Sequence, residues 1–279
     1  MSNPLVPAAE LAGLLDSVTV LDVRYRMGGP GGLEEYAAGH VPGAAYVDLD
    51  ADLADAPGPR GRHPLPAVET FEAAMRRVGV DGDRPVVVYD DWQGRAAARC
   101  WWLLRFHGHR DVRVLDGGWA AWLAAGGEAE TGTVRVAPGS FTARPGRARV
   151  IEADGVLAFA ASHTLVDARA PERFRGEVEP VDPVAGHVPG AVNVPTEANL
   201  RADGTFRSPA ELRDVYAAVM RDGGEVAAYC GSGVTAAHDV LALAVAGIDA
   251  ALYPGSWSEW VADPSRPVAT GAAPTSARP

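Results

Sequence analysis

Two cysteines in 279 residues cannot build a disulfide framework, and such sparing use fits a reducing cytoplasm better than an oxidising compartment. Basic side chains are also in deficit: 25 Lys and Arg face 36 Asp and Glu, a net charge of -11. Nucleic acid is therefore not an expected partner, because phosphate backbones select basic surfaces. A small anionic ligand would need a local positive pocket set against that overall field. No run of about 18 apolar residues occurs, so no helical membrane span is expected. The opening MSNPLVPAAELAGLLDSV has no basic stretch followed by a long apolar one, and no secretory leader is expected. The 7 His and 2 Cys show no ligand-like spacing, so no metal site is expected either. What is present is core material, 47% apolar residues, over a length that suits two domains.

An internal repeat organises that material. AAGHVPGAAYVDLD, from Ala37, returns as VAGHVPGAVNVPTE, from Val184. VTVLDVR matches HTLVDAR, VVVYDDWQGRAAARC matches VAAYCGSGVTAAHDV, and DGGWAAW matches PGSWSEW, all in the same order. Four ordered blocks indicate a duplicated domain rather than a solenoid. In each copy, short β-rich runs alternate with helical patterns, which predicts an α/β fold with parallel strands and helices on both faces. SPAELRDVYAAVM opens with Ser208, Pro209 and Glu211 in the arrangement of a capping box. The boundaries read as a first domain over residues 1–130, a Gly/Pro/Thr-rich linker over 131–150 and a second domain over 151–279. His40 and His187 recur identically in both GHVPGA turns, and both read as structural.

Cys230 ends the β-rich run EVAAY and precedes GSGVTAAHDVLALA. Gly231 and Gly233 allow successive N–H groups to point inward at a helix start, a nest suited to a negative sulfur. Local pattern alone equally allows a small buried cysteine at a strand end. The repeat favours chemistry, because the matching position in copy one is Asp90: one copy keeps a thiol and the other only the scaffold. Cys100 lies in the apolar helical run ARCWWLLRF and reads as core.

With LDVR, the doubled GHVPGA, RFRGE, CGSGVTA and the doubled GxWxxW, the chain resembles the tandem-domain rhodaneses, specifically the mercaptopyruvate/thiosulfate sulfurtransferases, over nearly its whole length. The resemblance implies two rhodanese-like domains, an inactive first and a catalytic second, with Cys230 becoming a persulfide and no cofactor or metal involved. It implies substrate binding by Arg173 and by Gly231, Gly233, Val234 and Thr235. Gly231 and Ser232 after the cysteine resemble members that prefer mercaptopyruvate over thiosulfate; Ser232, His63 and Asp50 would form a Ser-His-Asp set, His63 and Asp50 coming from the first copy. The segment GEVEPVDPVAG lacks the second donor-binding arginine of many such enzymes, which leaves Arg169 or Arg175 as stand-ins. The implied partners are a small anionic sulfur donor and a thiol acceptor, thioredoxin or a low-molecular-weight thiol, with cyanide serving in an assay. The alternatives are a thiosulfate:cyanide sulfurtransferase and a non-enzymatic sulfur-carrier module. A cysteine-dependent phosphatase is disfavoured, because Ala236 stands where its phosphate-gripping arginine belongs.

Overall fold

The computed structural model describes residues 3–26 and 28–272. They fall into two compact units. The first takes the chain up to Asp55, with Leu65–Ala148 and Arg201–Phe206; the second takes Ala56–Pro64, Arg149–Leu200 and the chain from Arg207 onward. His63 thus belongs by sequence to copy one but by packing to the second unit.

The first unit holds five strands, β1 (Leu5–Val6), β2 (Thr19–Asp22), β3 (Ala45–Tyr46), β4 (Val86–Tyr89) and β5 (Val112–Leu115). Their order is β1-β5-β4-β2-β3 and every pairing is parallel. Its helices are α1 (Ala8–Ala12), α2 (Gly32–Ala38), α3 (Leu49–Asp52), α4 (Val68–Arg77), α5 (Arg95–Phe106) and α6 (Gly118–Ala124). The second unit has β6 (Thr164–Asp167), β7 (Val192–Asn193), β8 (Val226–Tyr229) and β9 (Ala250–Leu252), ordered β7-β6-β8-β9 and again all parallel. Around it lie α7 (Val156–Ser162), α8 (Pro171–Phe174), α9 (Pro209–Ala217), α10 (Val234–Val245) and α11 (Ser256–Trp260). Among the described residues, no helix is long and apolar enough to cross a membrane.

Helices cover both faces of the second sheet. Ala227 and Tyr229 of β8 join a core with Val156 and Ala160 of α7 and Trp257 and Trp260 of α11. The alternate residues Val226 and Ala228 are equally buried, and by strand alternation they face the other side, where α10 packs. A four-residue strand buried throughout shows no polar alternation, which is why it reads as a plain apolar run. Helix α9 starts as expected: Ser208 Oγ accepts the Glu211 N–H, and the Glu211 carboxylate accepts the Ser208 N–H at 2.8 Å. The two GHVPGA turns are pinned alike. Tyr89 and Tyr229, at the ends of the central strands, accept the N–H groups of Val41 (2.9 Å) and Val188 (3.1 Å) through their hydroxyls. His40 bonds the Tyr36 carbonyl and stacks on that ring, and His187 does the same with Phe174. Both histidines are buried turn supports.

Candidate active site

Strand β8 lies between β6 and β9 and delivers Cys230 at its C-terminal end, where ligands gather in open α/β sheets. The chain turns through Gly231, Ser232 and Gly233 and enters the twelve-residue helix α10. Gly233 sits at φ 79°, and any Cβ there would run into the Pro254 carbonyl. This position therefore requires glycine. The conformation brings the Gly233 N–H to 3.1 Å from Cys230 Sγ, so the sulfur rests at the positive end of α10.

The loop is braced from α11. The Trp257 N–H donates to the Cys230 carbonyl and the Ser258 N–H to the Gly231 carbonyl, each at 2.9 Å. Ser256 accepts the Cys230 N–H at 3.1 Å through its hydroxyl, which donates in turn to the Tyr253 carbonyl at 2.9 Å. Ser256 is fully buried and left-handed, with φ 55°, a conformation that costs a non-glycine residue about 1–3 kcal/mol. Copy one has Gly118 at this place with φ 58°. Sequence reading missed Ser256; the change from GGW to GSW between the copies was its signal.

The corresponding loop of the first unit shows what such a nest holds. Asp90 is fully buried, and its carboxylate accepts N–H groups from Trp92, Gly94, Ala96 and Ala97 at 2.8–2.9 Å. Burial pushes this carboxyl up, and the amide bonds oppose that shift. Here a fixed side chain fills the amide nest.

A strap over residues 56–64 lies against the brace. Gly58 and Gly61 exchange backbone bonds of 3.0 Å, and the Arg62 N–H donates to Ser258 Oγ at 3.1 Å. The strap places His63 Nδ1 2.7 Å from Ser232 Oγ; the hydroxyl donates when that nitrogen carries no proton. The strap also places the Arg62 guanidinium at the loop. A Cβ on Gly231 would lie 2.8 Å from Arg62 Nη2 and 3.7 Å from Arg173 Nη2. Two arginines thus flank the residue after Cys230.

Neither stand-in for the missing arginine takes this place. Arg169 is buried, bound to both Asp167 oxygens and to the Gly186 carbonyl, with its guanidinium over Trp257. Arg175 is paired with Glu177 on the surface. Arg62 is a second residue that sequence reading missed, because nothing local marks a partner so far along the chain. Arg173 is at the loop, held by Glu179 at 2.6 Å. Asp182 pairs with Arg62 and lies 3.4 Å from Arg173. Burial and the Arg173 bond act against each other on Glu179, which ends below the usual carboxylate range. Val234 is buried and Thr235 half-buried in the first turn of α10. Asp50 lies exposed on α3 in the first unit, its N–H donating to the Asp48 cap. The second unit therefore assembles Cys230, Gly231, Ser232, Gly233, His63 and Arg173 around one loop, and adds Arg62 and Ser256.

Known proteins resemble this chain in both of its units. A family model described as Rhodanese-like domain matches twice, over residues 7–125 and 152–263. SseB of Mycobacterium tuberculosis, named as a thiosulfate sulfurtransferase, is 50% identical, with 96% of this chain and 98% of that protein covered. A 3-mercaptopyruvate sulfurtransferase of Escherichia coli is 38% identical, with 94% and 96% covered. The crystal structure of SseA from Escherichia coli, described as a 3-mercaptopyruvate sulfotransferase, superposes with a TM-score of 0.82 at 35% identity, covering 92% of this chain and 100% of that one.

Proposed function

Since the chain belongs to the rhodanese family in both of its units and is a sulfurtransferase, we propose that it takes sulfur from 3-mercaptopyruvate and carries it as a persulfide on Cys230. The observation that carries the choice of donor is the 2.7 Å contact between His63 and Ser232 beside the thiol. A ketone-bearing donor uses such a pair; thiosulfate has neither a carbonyl to polarise nor a carbon leaving group to protonate.

The donor carboxylate sits against Arg62 and Arg173, whose planar forks match it. The Cys230 thiolate attacks the donor sulfur, the S–S bond forms and the C–S bond breaks, and the electron pair leaves on the pyruvate enolate. The proton of the transferred thiol passes to that enolate, with Ser232 and His63 as relay. Pyruvate departs, and the persulfide anion remains in the amide nest that Gly231, Gly233, Val234 and Thr235 outline. Cyanide or a thiol then takes the outer sulfur and restores the thiolate. In the cell the acceptor is a thiol, thioredoxin or a low-molecular-weight one, in the cytoplasm.

The second reading is thiosulfate as donor, which the two arginines beside Gly231 favour. Initial rates with cyanide as acceptor separate the two. A charge-assisted hydrogen bond contributes about 1.5–3 kcal/mol, so kcat/KM for mercaptopyruvate should exceed that for thiosulfate roughly tenfold to a hundredfold. A ratio below one would replace the donor with thiosulfate.

A further inference from the structure

The sequence contains no lysine. Arginine does not lose its charge at working pH, so the positive charge that arginines bring to the donor subsite is permanent, and it is offset by carboxylates. Three arginines lie at or behind the loop, Arg62, Arg169 and Arg173, and three carboxylates answer them, Asp167, Glu179 and Asp182. The cluster is neutral as a whole. Two of the carboxylates come from the segment where a second arginine was expected, and their side chains are only 4% exposed.

Their bonding is specific. Glu179 holds Arg173 through two bonds, from Nε at 3.1 Å and Nη2 at 2.6 Å, and also meets Arg169 at 3.3 Å. It is fixed in turn by the N–H groups of Val181 and Asp182, each at 3.1 Å. Asp182 spans the two loop arginines, one oxygen on Arg62 and the other toward Arg173. Both guanidiniums nonetheless reach within 4 Å of where a Gly231 Cβ would stand. The loop therefore meets N–H donors whose net charge has already been cancelled from behind.

We propose that Asp182, supported by Glu179, is a specificity-determining residue that selects a singly charged donor over a doubly charged one. A neutral cluster offers an incoming anion hydrogen bonds but little Coulombic attraction, so a second negative charge gains nothing. Removing one carboxylate leaves a net positive charge, which attracts a dianion about twice as strongly as a monoanion. The inference rests on the donor subsite proposed above.

The test uses the full-length protein with Asp182→Asn, Asp182→Glu and Glu179→Gln, each checked for native-like thermal unfolding. Steady-state rates are measured for mercaptopyruvate and for thiosulfate, with cyanide as acceptor. Asp182→Asn should shift the ratio of kcat/KM toward thiosulfate, on the order of tenfold at low salt, mostly through a lower thiosulfate KM. Added salt should shrink the shift. Asp182→Glu should restore the native ratio, and Glu179→Gln should move it in the same direction as Asp182→Asn. A purely structural role would lower kcat/KM for both donors alike and leave the ratio unmoved; that result, or a shift toward mercaptopyruvate, overturns the proposal. Failure of the native protein to use mercaptopyruvate would instead overturn the donor reading, and Asp182 would then be judged on the thiosulfate KM alone.

Discussion

Cys230 and Cys100 are both buried, and their surroundings separate them. Cys230 faces an N–H donor at a helix start; Cys100 lies within α5, where burial pushes its thiol far up. Cys230→Ser should abolish sulfur transfer with the fold intact, and Cys100→Ser should keep most of it, measured as thiocyanate formed from cyanide. Ser256 offers a second test at this scale. Ser256→Gly relieves a left-handed side chain and loses two hydrogen bonds, opposing effects each of about 1–3 kcal/mol. Stability should change by less than about 1 kcal/mol in denaturant titration, while kcat falls because the Cys230 N–H loses its anchor. Ser256→Ala keeps the strain and loses both bonds, so it should be the less stable of the two. At the residue scale the sequence marked Cys230 and Ser232 through their loop, while His63 and Arg173 came only from the family resemblance. It hid Arg62 and Ser256, which act through contacts made only after the strap and α11 have folded onto the loop.

At the scale of elements, the longer strands and the capped helix α9 were legible because their signals are local: apolar runs between turns and a Ser-Pro-x-Glu start. β3 and β7 were legible as the strands that the GHVPGA turns lead into; β1 was not, since a two-residue strand carries no periodicity. The strap was also opaque: its glycines read as an ordinary loop, and only Gly61, whose Cβ would meet the Gly255 carbonyl at 2.7 Å, betrays close docking. Two changes probe the loop itself. Gly233→Ala imposes about 1–3 kcal/mol of backbone strain and a clash with Pro254, so both stability and transfer should fall, seen as a lower denaturation midpoint and a lower rate. Placing arginine at 231 and lysine at 232 puts a Cβ 2.8 Å from Arg62 and removes the hydroxyl bonded to His63. That double change should push Arg62 aside and move preference toward thiosulfate in paired kcat/KM measurements. An unchanged ratio would mean that the loop does not determine specificity.

On the scale of the whole molecule, a buried carboxylate ties stability to pH. Asp22, at the end of β2, is fully buried. Burial pushes it up to about 7, against Arg24 at 3.2 Å, which pulls it down. Unfolding frees a carboxyl that ionises in the ordinary range, so the folded state binds the extra proton between about pH 4 and 7. Stability from this group is therefore greatest at low pH, declines as pH rises through about 7 and is level above that. Denaturation midpoints from pH 5 to 8 should fall more steeply for the native protein than for Asp22→Asn; parallel curves would exclude Asp22 as the cause.

The duplicated fold supplies two strand-to-helix loops, one whose amides bind the Asp90 carboxylate and one whose Gly233 N–H meets Cys230 Sγ, and the proposed function makes that sulfur the carrier. Intact-mass and peptide-mass measurement after brief exposure to mercaptopyruvate, without acceptor, tests it most directly. The predicted result is one added sulfur per chain, on the peptide carrying Cys230, discharged by cyanide. Added sulfur on Cys100, or turnover without any sulfur on Cys230, would contradict it.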